Sequence, residues 1–82
     1  MWIKSEEGKL FNVSNAHAIQ IEERQNGYVV LAEFNPTDVR SFNLTKRTER
    51  EIALRTLDEI EEAFQNQQPF LNLSIKPSPE VG

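Results

Sequence analysis

The sequence predicts an α+β fold: an antiparallel β-meander of four to five strands, one amphipathic helix packed on one face, and a short final strand. Three patterns predict this fold. Alternating apolar residues on both sides of Asn26-Gly27 are typical of a β-hairpin. Apolar residues at helical spacing follow Thr48, and residues 71–75 alternate again after Pro69.

Length and composition limit the domain organisation. A chain of 82 residues has room for one hydrophobic core. The hydrophobic fraction of 38% is low, but the apolar residues are clustered and periodic, which argues against disorder. We expect a single domain over residues 1–75 and a frayed tail over residues 76–82, where Pro77 and Pro79 interrupt any regular pattern.

The N-terminal strands are expected to form a tight hairpin. Trp2-Ile3-Lys4 reads as the first strand, residues 6–9 as its turn around Gly8, and Leu10 to Val13 as the second strand. Side chains alternate in direction along a strand, so Trp2 points opposite to Ile3. Some apolar surface near the N-terminus is therefore left outside the core.

The second hairpin has the strongest turn signal in the chain, Asn26-Gly27. If these two residues form the whole loop, Ile21 lies opposite Ala32. The helix-facing side of this hairpin is then formed by Ile19, Ile21, Tyr28, Val30, Ala32 and Phe34. Val29 and Leu31 point to the other side, away from the helix.

The second half of the chain supplies a further strand, the helix and the last strand. Residues 39–45 follow a turn at Pro36 and present Phe42 and Leu44 to the core. Thr48 and Glu51 fit a capping box, which predicts a helix from Thr48 to about Gln67. Its apolar stripe consists of Ile52, Ala53, Leu57, Ile60, Ala63 and Phe64. The final strand either closes the sheet or pairs with another molecule.

The chain resembles a loose set of short uncharacterised bacterial proteins. The resemblance rests on Met1-Trp2-Ile3-Lys4, the turn with Gly8, Leu10-Phe11-Asn12-Val13 and the Ile19/Ile21 strand. It is a resemblance of hydrophobic pattern, covers roughly the first 64 residues, and implies a strand meander followed by one helix. It transfers no activity and no site residues to this chain.

Catalytic and cofactor motifs are missing from the sequence. His17 is the single histidine, and no motif brings a nucleophile or a carboxylate to it. The acidic residues Asp58, Glu59, Glu61 and Glu62 lie on one predicted helix, which indicates a solvated face rather than a metal site. We therefore expect a non-enzymatic protein without a cofactor.

Cysteine content and charge indicate the cellular environment and the partners. The chain has no cysteine, which rules out disulfides and cysteine-based zinc sites and favours the cytoplasm. The first residues do not fit a signal peptide, and no apolar run is long enough to span a membrane. A net charge of −4 argues against a dedicated nucleic-acid binder, because nucleic acid is itself negatively charged.

Basic residues concentrate at the junction between the strand and the helix. They are Arg40, Lys46, Arg47, Arg50 and Arg55, and the first four are the candidate anion-binding residues. A helix N-terminus with nearby cations favours bound anions. An anion or nucleic-acid site at this junction is therefore the alternative functional hypothesis.

The leading hypothesis is a protein-interaction or adaptor module that forms a homodimer or binds another protein. The helix covers one face of the sheet, so apolar residues on the other face and on the last strand remain to be buried. The candidate interface residues are Trp2, Val29, Leu31, Leu71, Leu73 and Ile75.

Overall fold

The α+β fold is confirmed in a computed structural model that describes residues 1–35 and 40–74. A single-turn 3₁₀ helix covers Val13–Asn15. The other elements, in chain order, are β1 (Trp2–Lys4), β2 (Leu10–Asn12), β3 (Ala18–Arg24), β4 (Gly27–Asn35), β5 (Arg40–Asn43), α1 (Arg50–Gln65) and β6 (Phe70–Asn72).

The strands are divided between two three-stranded sheets. The first sheet has the order β2-β1-β6 and the second, a meander, the order β3-β4-β5. The chain turns between them in the 3₁₀ helix, where the Asn12 Oδ1 accepts a hydrogen bond from the Ser14 amide at 3.1 Å. The final strand pairs within the chain: β6 lies parallel to β1, with Trp2 beside Phe70.

The register of the β3-β4 hairpin differs from the prediction by two residues. Ile21 pairs with Val30 rather than with Ala32, and Arg24 pairs with Gly27. The loop is therefore Gln25-Asn26, in which Asn26 supplies the positive φ of 67°. A shift of two residues preserves the direction of every side chain, so the predicted apolar face is retained.

Gly27 is the first residue of β4 and has a φ of 153°. A Cβ at this position would lie 3.1 Å from the main-chain oxygen of Thr48 and 3.3 Å from the Arg47 Cβ. The segment before the helix therefore approaches the hairpin closely at this point, and only glycine fits without displacing it.

The helix begins at Arg50, after Glu49, and the predicted capping box is wrong. The Glu49 side chain makes no capping hydrogen bond. Thr48 instead exchanges two main-chain hydrogen bonds with Tyr28, each 2.9 Å long. This bridge fixes Thr48 to the sheet, so the helix starts after it.

The helix packs on the second sheet through one buried side. Ala53, Ile60 and Ala63 are buried, whereas Ile52 and Phe64 of the predicted stripe are exposed. Thr56 is also buried on this side. The core combines both sheets and the helix, and its buried members are Ile3, Val13, Val30, Ala32, Leu44, Ala53, Ile60 and Leu73.

An aromatic cluster joins the two sheets. Phe11 on β2 lies 6.4 Å from Phe34 and 5.3 Å from Phe42, measured between ring centroids. Phe34 and Phe42 meet edge to face at 5.7 Å. Phe42, expected in the core, is partly exposed because this cluster lies at the rim.

Candidate interaction surfaces

The outer face of the first sheet carries an exposed apolar patch. Residues paired across neighbouring strands point to the same side of a sheet. Pairing therefore places six side chains on the side opposite the buried Ile3: Trp2, Lys4, Leu10, Asn12, Phe70 and Asn72. We call this surface the outer face. Trp2 is 48% exposed, Phe70 45% and Leu10 57%.

Main-chain hydrogen bonds hold Trp2 and Phe70 side by side. The Trp2 amide donates to the Pro69 oxygen at 2.9 Å, and the Leu73 amide donates to the Lys4 oxygen at 2.8 Å. These bonds fix the parallel register on both sides of the pair. Strand pairing, not a flexible loop, thus positions both aromatic residues on this surface.

Val29 and Leu31 are buried, and the prediction that they form an exposed patch is wrong. Their exposed fractions are 2% and 0%. They do point away from the helix, as predicted, but β4 is the central strand of its sheet. Leu31 is consequently flanked on both sides, by Gln20 on β3 and by Asn43 on β5.

The remaining predicted interface residues lie near β6. Leu73 is buried in the core, which corrects its assignment to a surface. Leu71 is half-buried and shares the inward side of the first sheet with Ile3. Ile75 lies outside the described residues. Of the predicted set, Trp2 is therefore the residue that the structure places at the surface.

Sequence reasoning missed Leu10 and Phe70 as surface residues. Their exposure follows from their pairing with β1, since Leu10 lies beside Lys4 and Phe70 beside Trp2. The alternation within β1 was visible in the sequence. The parallel partner of β1 was not, because it lies at the other end of the chain.

The basic residues form an open groove of about 640 Å³, which we call the basic groove. Lys46 and Arg47 line it, together with Arg24 of β3. Glu7 and Val29 also contribute to the lining. The structure thus brings two of the predicted cations together and adds a third from the neighbouring hairpin.

Hydrogen bonds position two of the guanidinium groups. The Arg47 Nη1 donates to the Gln25 main-chain oxygen at 3.1 Å, and the Arg24 Nε donates to the Glu22 Oε1 at 2.7 Å. Arg50 is exposed at the start of the helix and does not line the basic groove. Arg40 is the first residue of β5.

Residues 1–35 and 40–74 contain no group of three or more His, Asp or Glu side chains arranged to hold a metal ion. The His17 side chain is exposed. The helix in these residues is neither long enough nor apolar enough to cross a membrane.

Comparison with protein-family models, curated proteins and solved structures finds no significant match to this chain. The functional interpretation therefore depends on the surfaces described above.

Proposed function

We propose that this chain is a non-enzymatic protein-interaction module that acts as a homodimer through its outer face. The observation that carries the proposal is that Trp2 and Phe70, paired on neighbouring strands, are both exposed, with Leu10 on the same face. Trp is among the residues that most often dominate binding energy at protein interfaces. Burying such surface is favourable by about 25 cal/mol per Å².

Charge supports a second copy of the chain as the partner. The chain carries a net charge of −4, which disfavours most self-contacts. The outer face has no acidic side chain, and its one charged residue is Lys4. Asn12 and Asn72 complete it with neutral amides that both donate and accept hydrogen bonds. Two outer faces related by a two-fold axis therefore meet without the repulsion between the acidic helices.

The absence of cysteine supports a cytoplasmic location for the proposed dimer, since small extracellular domains commonly depend on disulfides.

Self-association can be followed through Trp2, the single tryptophan of the chain. Sedimentation equilibrium up to about 100 μM should give a dimer mass, and dilution should shift the tryptophan emission to the red. Replacing Phe70→Ser should weaken association by about 5- to 30-fold, as for an interface residue worth 1–2 kcal/mol.

Leu54→Ser is the matched control, because Leu54 is a partly exposed apolar residue on the helix, away from the outer face. It should leave the dimer intact. A monomer mass at about 100 μM, or equal effects of Phe70→Ser and Leu54→Ser, contradicts the homodimer.

Anion binding in the basic groove is the second candidate function. Its support is the convergence of Arg24, Lys46 and Arg47 on one groove. A ligand with several negative charges, such as tripolyphosphate or a short single-stranded oligonucleotide, would contact all three. Such binding releases counterions and therefore weakens steeply with salt.

Calorimetric titration with tripolyphosphate tests this candidate. Lys46→Ala should weaken binding, whereas Arg55→Ala, which removes an exposed cation of the helix, should not. Binding that is absent at low salt, or that both variants weaken equally, contradicts a site in the basic groove.

A further inference from the structure

The open edge of the second sheet lies next to a groove beside the helix. Within the described residues, β3 pairs with β4 alone, so its other edge carries no strand. The groove runs between β3 and α1 and has a volume of about 350 Å³. We call it the helix groove, and its lining consists of Ile19, Leu57, Ile60, Glu61, Phe64 and Gln65.

Hydrogen bonding on β4 determines which β3 amides face this open edge. Tyr28 exchanges main-chain bonds with Thr48, and the Val30 oxygen accepts from the Leu44 amide at 2.7 Å. The main-chain groups of Tyr28 and Val30 therefore point away from β3. In an antiparallel pair, the main-chain groups of the residues directly opposite them then point away from β4, toward the open edge of β3. Those residues are Glu23 and Ile21, and Ile19 follows by the two-residue period.

The main-chain amides at the open edge of β3 and the helix groove lie on the same side of the molecule, so one ligand can contact both. Ile19 provides both an open main-chain position and part of the groove wall. Phe64 forms the opposite wall and is 44% exposed. A strand added along β3 would place every second side chain over the groove. This combination of main-chain pairing and alternate side-chain pockets is the general requirement for recognising an extended peptide.

Charge determines the kind of peptide that fits. Glu61 lines the helix groove, and Glu23 lies on β3, on the same side of the sheet as Ile19. A peptide with basic side chains would be attracted to this side of the molecule, and an acidic peptide would be repelled.

We propose that β3 and the helix groove bind a basic, extended peptide segment of a partner protein as an added strand, with an apolar side chain of that segment in the groove. This site is separate from the outer face and does not depend on the proposed homodimer. Main-chain hydrogen bonds between the peptide and β3 provide affinity. Contacts of the peptide side chains with the helix groove and with Glu61 provide specificity.

A short synthetic peptide provides a direct probe. Fluorescein-labelled Lys-Thr-Leu-Thr-Lys-Thr places Lys, Leu and Lys on one side of a strand, and fluorescence anisotropy measures its binding. Binding should be detectable below about 1 mM. Replacing both lysines with glutamate, or the leucine with serine, should weaken binding at least about tenfold.

Variants of the protein locate the site. Phe64→Ala and Glu61→Lys should each weaken binding by about 5- to 30-fold. The matched control is Glu62→Lys, which makes the same charge change on the neighbouring helix residue outside the helix groove. Circular dichroism at 222 nm checks that each variant is folded. Equal losses for Glu61→Lys and Glu62→Lys would show unspecific attraction and overturn the proposal, as would failure to bind at 1 mM.

Methylated peptides test the strand pairing itself. Methylating alternate amides along one edge of the peptide removes the donors that face β3, and methylating the other set leaves them intact. One pattern should abolish binding and the other should preserve it. Equal binding of the two methylated peptides contradicts an added strand.

Discussion

Replacement of Leu31 by alanine tests the packing of the central strand most directly. Leu31 is fully buried, with an exposed fraction of 0%. Removing a buried leucine side chain loses its transfer free energy and leaves a cavity, at a combined cost of about 2–5 kcal/mol. An 82-residue domain has a total stability of about 4–12 kcal/mol. Leu31→Ala should therefore remove a large part of the free energy of unfolding.

Urea unfolding followed by circular dichroism at 222 nm measures this change. The midpoint should fall while the slope with denaturant stays constant, since the surface exposed on unfolding barely changes. The melting temperature should fall by about 4–8 °C for each kcal/mol lost.

Leu54→Ala is the control for Leu31→Ala, because it removes the same atoms from a partly exposed helix position. It should change stability by less than about 0.5 kcal/mol. If the two variants lose the same stability, Leu31 is not in a packed environment, and the assignment of β4 as a buried central strand is wrong.

Three further predictions concern hydrogen bonding and backbone conformation. Thr45→Val should destabilise the protein by about 1–3 kcal/mol, because the buried Val30 amide donates to the Thr45 Oγ1 at 3.0 Å and would lose its acceptor. Thr48→Ala should change the free energy of unfolding little in the same urea assay, since Thr48 pairs with Tyr28 through its main chain. A loss of about 1 kcal/mol or more would instead show that the Thr48 side chain caps the helix. Gly27→Ala should destabilise the protein, because its Cβ would lie 3.1 Å from the main-chain oxygen of Thr48; an unchanged melting temperature would contradict the close approach at Gly27.

The fold class and the faces of the second hairpin could be predicted because both depend on local periodicity. The side of the sheet to which each residue points stays the same when the pairing register shifts by an even number of residues. The register itself depends on which residues form the loop. Asn26 takes a positive φ and Gly27 starts the strand, where it permits contact with Thr48. Such a contact between distant segments has no signal in the local sequence.

The start of the helix and the division into two sheets depended on tertiary contacts. Thr48 and Glu51 have the sequence pattern of a capping box, but pairing with Tyr28 competes for the main chain of Thr48. In the same way, alternation identifies β1 and β6 as strands without indicating that they are partners. The candidate surfaces depend on these pairings, which explains why Trp2 was identified and Phe70 was missed.

The pairing of β1 with β6 has a consequence for the order in which the protein folds. Trp2 and Phe70 lie near opposite ends of the chain, whereas β3, β4 and β5 are consecutive. Closing a loop of about 70 residues costs about 4 kcal/mol in chain entropy, more than closing a short hairpin. We therefore expect β3 and β4 to associate early and the first sheet to be completed late. During synthesis, β1 and β2 would wait as a two-stranded hairpin, which is marginally stable alone, until β6 leaves the ribosome.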